Sequence, residues 1–227
     1  MGSDIADINN DGNLDIFSTD MLPPDNYRLK AATKFDDYYL GELRFRNSFH
    51  HQSVQNCLQV NQGNGIFQET AFFSGVAATD WSWGALIFDM NLDGQKDIFV
   101  SNGVYNDITD SDFVDFIADP TEIKKIIEEK GKYDFRDFVK FLPHNKRKNY
   151  AFINQGNKNG QTLHFENLAS SLNLDQESYS NGSAYGDLDN DGDYDLVVNN
   201  VNMPAFVYQN NAIEDKKNNY IKFNLKG

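Results

Sequence analysis

The sequence predicts a mainly β fold built from about three copies of one strand–loop–strand unit, with a helical insertion. Three observations predict it. A nine-residue acidic frame occurs three times, each copy lies between short β-favouring runs, and a second element recurs downstream of each copy. Self-similarity of this kind is the signature of a repeat architecture.

The clearest frame runs from Asp187 to Asp195, with Asp189, Asp191 and Asp193 at alternate positions and Gly192 at position six. The same frame appears as Asp7, Asn9, Asp11, Gly12, Asn13, Asp15, and again as Asp89, Asn91, Asp93, Gly94, Gln95, Asp97. Short small-and-apolar runs lead into the frames at residues 2–6, 83–88 and 181–186. β-favouring runs follow them at 14–17, 97–100 and 194–198. The second element is Asn-Cys-Leu-Gln-Val-Asn-Gln-Gly at 56–63, matched by Asn-Tyr-Ala-Phe-Ile-Asn-Gln-Gly at 149–156 and more loosely by 205–211. Behind the first two copies, 65–69 and 163–167 alternate like edge strands.

The frames start at residues 7, 89 and 187, spacings too long for one four-stranded propeller blade of about 40–50 residues. Two segments read as insertions. Residues 21–55 break the pattern with Pro23, Pro24 and many polar and basic residues, and 107–148 are helical in character. Without them both spacings fall near blade length, which predicts propeller blades in a partial ring. In the second insertion Asp119, Pro120 and Glu122 punctuate a helix start. Ile123, Ile126 and Ile127 then form an apolar stripe that Gly131 ends. Phe135, Phe138, Val139 and Leu142 suggest another helix before Pro143, and 110–118 a short third one.

Composition bounds the partners. With 34 acidic against 20 basic residues the formal charge is −14, which excludes non-specific binding to nucleic acid or anionic membranes. No stretch approaches the roughly 20 apolar residues of a membrane span. Cys57 is the only cysteine, so no intrachain disulfide forms. The first frame begins six residues after Met1, which leaves little room for a leading strand and reads as a fragment of a longer chain.

The frames carry the chemistry. Like charges about 4 Å apart repel by roughly 4 kcal/mol at a surface-like dielectric, so such a turn asks for a cation. Oxygen-only donors select a hard one, and calcium fits best. A helix-flanked calcium loop would end in a bidentate Glu at position twelve. That position is Ser18, Val100 and Val198, and the flanks are strands. What remains is a shorter loop with side-chain oxygens from positions one, three, five and nine and a carbonyl from position seven. The expected sites are Asp7, Asn9, Asp11, Asp15 with the Asn13 carbonyl; Asp89, Asn91, Asp93, Asp97 with the Gln95 carbonyl; and Asp187, Asp189, Asp191, Asp195 with the Asp193 carbonyl. The third, richest in carboxylates, should bind most tightly. Glycine at position six is expected where a Cβ would clash.

These frames resemble the FG-GAP or VCBS repeat, the blade of integrin-α-like β-propellers. The Phe-Gly and Gly-Ala-Pro tags that name that repeat are not clean here, so the loops set the repeat frame. The elements at Asn56 and Asn149, the insertions and the closing run 219–227 look like a narrower group. In that group such repeats precede an ASPIC/UnbV domain, as in relatives of cartilage acidic protein, and 219–227 would begin that domain. The resemblance implies a calcium-dependent binding or scaffold module for a protein or glycan, with further blades in a longer chain. It also implies an extracellular, cell-surface or periplasmic location and no settled catalytic activity.

An alternative is a polysaccharide lyase or hydrolase on a propeller platform. It needs a convergent acid and base, and no pair can be singled out; no nucleophile elbow, His-Glu-x-x-His or phosphate loop occurs. His50 and His51 are adjacent and would point to opposite faces of a strand. Trp81 with Trp83 and Tyr105, or Tyr38 with Tyr39, are candidate aromatic platforms for a sugar.

Overall fold

Each acidic frame joins the two strands of an antiparallel pair. In the computed structural model, which describes residues 1–32, 37–50, 53–121, 124–125, 128, 135–156, 163–213, 221, 223 and 225–226, β1 (Ser3–Ala6) and β2 (Asp15–Ser18) flank the first frame. A short β3 (Cys57–Asn61) and β4 (Phe67–Glu69) complete that sheet in the order β1-β2-β3-β4, and α3 (Ala71–Ser74) follows. The second frame joins β5 (Ser82–Phe88) to β6 (Asp97–Asn102), with β7 (Tyr150–Asn154) and β8 (Phe165–Asn167) beyond, in the order β5-β6-β7-β8. The third joins β9 (Ser180–Gly186) to β10 (Asp195–Asn200), and β11 (Phe206–Tyr208) makes a three-stranded sheet. The fold is therefore mainly β, with three antiparallel sheets. Four residues suffice for the leading strand before the first frame.

The register repeats as well. The residue before frame position one pairs with position nine in every copy: Ala6 with Asp15, Phe88 with Asp97, Gly186 with Asp195. A one-residue slip would turn each strand inside out, so this shared register fixes which side chains face a neighbouring sheet.

The second sheet lies between the other two. Every residue of β6 is buried. Ile98 and Val100 pack with Phe17, Leu58 and Val60 of the first sheet, whereas Phe99 packs with Leu196 and Val198 of the third. Burial on both faces explains why Ile98 to Val100 read as a continuous apolar run instead of alternating. The leading strands β1, β5 and β9 lie side by side. Asp4 Oδ2 accepts a hydrogen bond from Ile87 N at 2.7 Å. A Cβ on Gly2 would stand 2.6 Å from the backbone oxygen of Trp83, so the approach of the first sheet to β5 requires glycine there.

Both insertions occupy the same connection, from the second strand of a sheet to the third. The frames connect first to second strands, so the insertions leave the sheets at the opposite end. The first insertion contains α1 (Asn26–Ala32) and α2 (Tyr38–Arg46), helices that its prolines and polar composition concealed. Asp37 caps α2 by accepting from Tyr39 N. In the second insertion α4 (Ser111–Ala118) is capped by Asp110, which accepts from Phe113 N at 3.0 Å. Asp119 accepts from Thr121 N where Pro120 opens the next helical turn, as the punctuation predicts. Phe135–Phe141 is a 3₁₀ helix rather than an α-helix. The Ile123, Ile126 and Ile127 stripe, Gly131, His51 and most of 219–227 lie outside the described residues.

A buried charge cluster ties the insertions together. Arg28 on α1 is 4% exposed; its Nε lies 3.3 Å from Asp80, and its Nη2 lies 2.5 Å from Asp107 at the root of the second insertion. Asp107, fully buried, also accepts from Thr109 and from Asn145 Nδ2. Among the described residues, no helix is long and apolar enough to cross a membrane.

Candidate metal centres

The first two frames follow one backbone path. In the first, Asp11 N donates to Asp7 and Asn9, Gly12 N to the second Asp7 oxygen at 2.9 Å, and Asn13 N to Asp11 at 2.8 Å. In the second, Asp93 N donates to Asp89 and Asn91, Gly94 N to Asp89 at 2.9 Å, and Gln95 N to Asp93 at 2.8 Å. Side-chain oxygens of positions one, three and five thus all accept from the loop's own amides. The third frame keeps the Asp191 N to Asp189 and Asp193 N to Asp191 bonds. There one oxygen each of Asp187, Asp189 and Asp191 lies within 4.8 Å of the others. Among the described residues this is the acidic cluster that could hold a metal ion; the first two frames carry Asn9 and Asn91 where the third has Asp189.

The turn depends on two left-handed residues. Position six has φ of 89° at Gly12, 85° at Gly94 and 107° at Gly192. A Cβ on Gly12 or Gly94 would meet nothing within 4 Å, which corrects the expectation of a clash: the dihedral, not the space, demands glycine. Position four is also left-handed, at Asn10, Leu92 and Asn190 (φ 58°, 57° and 65°). Asparagine tolerates that conformation and leucine does not, at a cost of about 1 kcal/mol. Leu92→Asn is expected to raise the melting temperature by about 2–4 °C. A thermal melt that falls instead would refute strain at Leu92.

Position nine has a second task. Asp15 accepts from Ile8 N at 2.9 Å and Asn61 N at 2.8 Å. Asp97 accepts from Met90 N and Asn154 N, and Asp195 from Leu188 N and Asn210 N, at 2.8–2.9 Å. Each carboxylate thus closes its frame and pins the second strand of the sheet to the third. Its two oxygens keep further lone pairs. All three residues are buried. Burial pushes the Asp97 carboxyl up to about 7 against the pull of the Asn154 and Met90 amides, and nearby Asp93 and Asp89 push the same way. Burial likewise raises Asp15 and Asp89.

Asp193, proposed from sequence only for its carbonyl, is fully buried through its side chain. One oxygen accepts from Ile213 N at 3.2 Å, and Oδ1 is enclosed without a protein hydrogen bond. Burial, then the Asp191 and Asp195 charges, raises its carboxyl against the pull of the Ile213 amide. The equivalent residues Asn13 and Gln95 gave no sequence signal for this role. A buried carboxylate beside two others is costly unless a cation compensates it, so the third frame fits a divalent ion.

The second repeat element proves to be the partner of the frames. Asn61, Asn154 and Asn210 each donate Nδ2 to the frame's position-eight carbonyl, of Leu14, Lys96 and Tyr194, at 3.0–3.2 Å. Asn154 Nδ2 also reaches Ile8 O at 3.1 Å, and Asn210 Nδ2 reaches Met90 O at 2.8 Å. Each of those carbonyls is position two of the frame one unit earlier. In the second and third units one asparagine therefore clasps its own frame and the preceding one.

The aromatic candidates divide. Trp81 and Trp83 lie 6.2 Å apart and tilted, and Trp83 Nε1 is committed to Gly103 O. Tyr105 instead stacks on His144 and meets Tyr179 edge-on. Tyr38 and Tyr39 are exposed on α2. A mostly apolar groove of about 370 Å³ runs between the second and third sheets, lined by Phe88, Ile153, Leu196 and Tyr208.

Compared with known protein families and curated proteins, the chain matches no family model and no curated sequence.

Proposed function

We propose that the chain forms three consecutive blades of a β-propeller of the FG-GAP/VCBS type, each holding a calcium ion in its acidic loop. In this reading it serves as an extracellular or periplasmic binding or scaffold module for a protein or glycan. The observation that carries the calcium assignment is the convergence of Asp187, Asp189 and Asp191 beside the buried Asp193. Asp7, Asn9, Asp11 and Asp89, Asn91, Asp93 offer the same backbone path with one carboxylate fewer. The blade assignment is supported by the asparagine clasp, which relates the second unit to the first as the third to the second. Continued once more, it would leave Leu188 O for a following blade. Bound calcium would be structural, and ligand recognition would fall to the insertion end.

Calcium titration by calorimetry tests this. About three ions per chain are expected, the tightest in the third loop, and Asp191→Asn should weaken that site alone. No saturable uptake of calcium would overturn the assignment.

A further inference from the structure

We propose that a polar cavity at the insertion end binds a single neutral sugar residue of a glycan, an inference that rests on the binding-module reading. The cavity encloses about 190 Å³ where three parts of the chain meet. Asp25 comes from the first insertion, Lys146 and Arg147 from the end of the second, and Glu177 from the segment before β9. Arg28 N donates to Asp25, Arg28 and Arg147 both pair with Asp80, and a β-bridge joins Arg147 to Ser178 beside Glu177.

Its charge selects against ions. Lys146, Arg147 and Lys148 balance Asp25, Asp80 and Glu177 in its lining. Much of that charge is spent internally, because Arg147 Nε lies 3.0 Å from Asp80 Oδ2 and Lys148 Nζ lies 2.9 Å from Asp175. A charged ligand would meet as much repulsion as attraction. What remains is a ring of interleaved donors and acceptors, and a sugar hydroxyl both donates and accepts.

Two groups add direction. Asn102 lines the cavity and is 1% exposed; its Nδ2 donates to Thr79 O at 2.6 Å and to Lys148 O at 3.3 Å. The amide is thereby oriented, and its Oδ1 has no protein partner. Tyr150 supplies an aromatic wall, its ring fixed by stacking on Phe152 at 5.5 Å. An aromatic face suits the apolar face of a pyranose. The volume is below the usual range for drug-sized ligands, about 300–1,000 Å³, which fits one ring rather than a chain of them.

The probes are methyl glycosides of glucose, galactose, mannose and N-acetylglucosamine, titrated into the full chain with calcium present and followed by saturation-transfer NMR and calorimetry. At least one should bind with a stoichiometry of one. Glu177→Ala and Lys146→Met, both at exposed side chains, should each weaken it about tenfold, the loss of one hydrogen bond, while melting stays unchanged. Binding of none of the four would overturn the inference, as would binding that neither variant alters. Tighter binding of a zwitterionic amino acid such as glycine would also overturn it. Calcium uptake without glycoside binding sinks the cavity alone, and glycoside binding without calcium uptake sinks only the calcium assignment.

Discussion

Chelation with EDTA is expected to lower the melting temperature by well over ten degrees. A ligand at 100 times its dissociation constant stabilises the native state by about 2.7 kcal/mol. Three such sites would contribute about 8 kcal/mol, within the whole stability of an ordinary domain. For a chain of this length each kcal/mol moves the midpoint by about 2–4 °C. Without a cation, Asp97 is held up to about 7 by burial, and the buried Asp193 faces Asp191 and Asp195. Each frame closes one strand pair, and through Asn154 and Asn210 it also anchors the next unit. Loss of the ions should therefore loosen the contacts between sheets as well as the loops. Excess calcium should restore the melt fully. Magnesium should restore it poorly, since it demands near-ideal octahedral geometry and dehydrates reluctantly. A melt unchanged by EDTA would sink the structural role of calcium.

The parts of this fold that were legible in the sequence are those in which one residue pattern does one local job. Position six requires a left-handed dihedral, so Gly12, Gly94 and Gly192 stand out. The strands around each frame were readable because a β-favouring run follows each loop, and their register repeats. Even the loose third copy at 205–211 proved equivalent, since Asn210 makes the bonds of Asn61 and Asn154. What sequence could not show were tasks defined only across the fold. Nothing local distinguishes Asp193 from Asn13 or Gln95, yet its side chain alone is buried against Ile213. The clasp from Asn154 to Ile8 spans 146 residues and has no pattern to read. The helices of the first insertion were hidden for a different reason: α2 has no buried residue and no apolar stripe. Arg28 was one basic residue among many until the fold set it between two carboxylates.

Arg28→Met is expected to destabilise the protein by about 3 kcal/mol, the lower end of the cost of breaking a buried ion pair. The midpoint should fall by about 6–12 °C. The cost is not larger because both abandoned carboxylates keep other partners. Asp80 retains Arg147 at 3.0 Å, and Asp107 retains Thr109 and Asn145. The pH dependence separates this from simple loss of packing. Burial pushes the Asp107 carboxyl up, but the Thr109 hydroxyl, then Arg28, bring it below the ordinary carboxylate value. A carboxylate lowered in the folded state stabilises the protein above its unfolded pKa, near 4, and loses that contribution as pH falls through the folded value. Without Arg28 its lowering contributions are lost and the Asp107 carboxyl moves up. The deficit of Arg28→Met should therefore be greatest at neutral pH and shrink as the solution is acidified below about 4. Arg28→Met combined with Asp107→Asn should recover part of the loss at pH 7, because the uncompensated charge is gone. A deficit independent of pH, with no recovery in the double variant, would mean that Arg28 acts through its aliphatic stem. The insertion end would then be held by packing, and not by the charges that join α1 to the root of the second insertion.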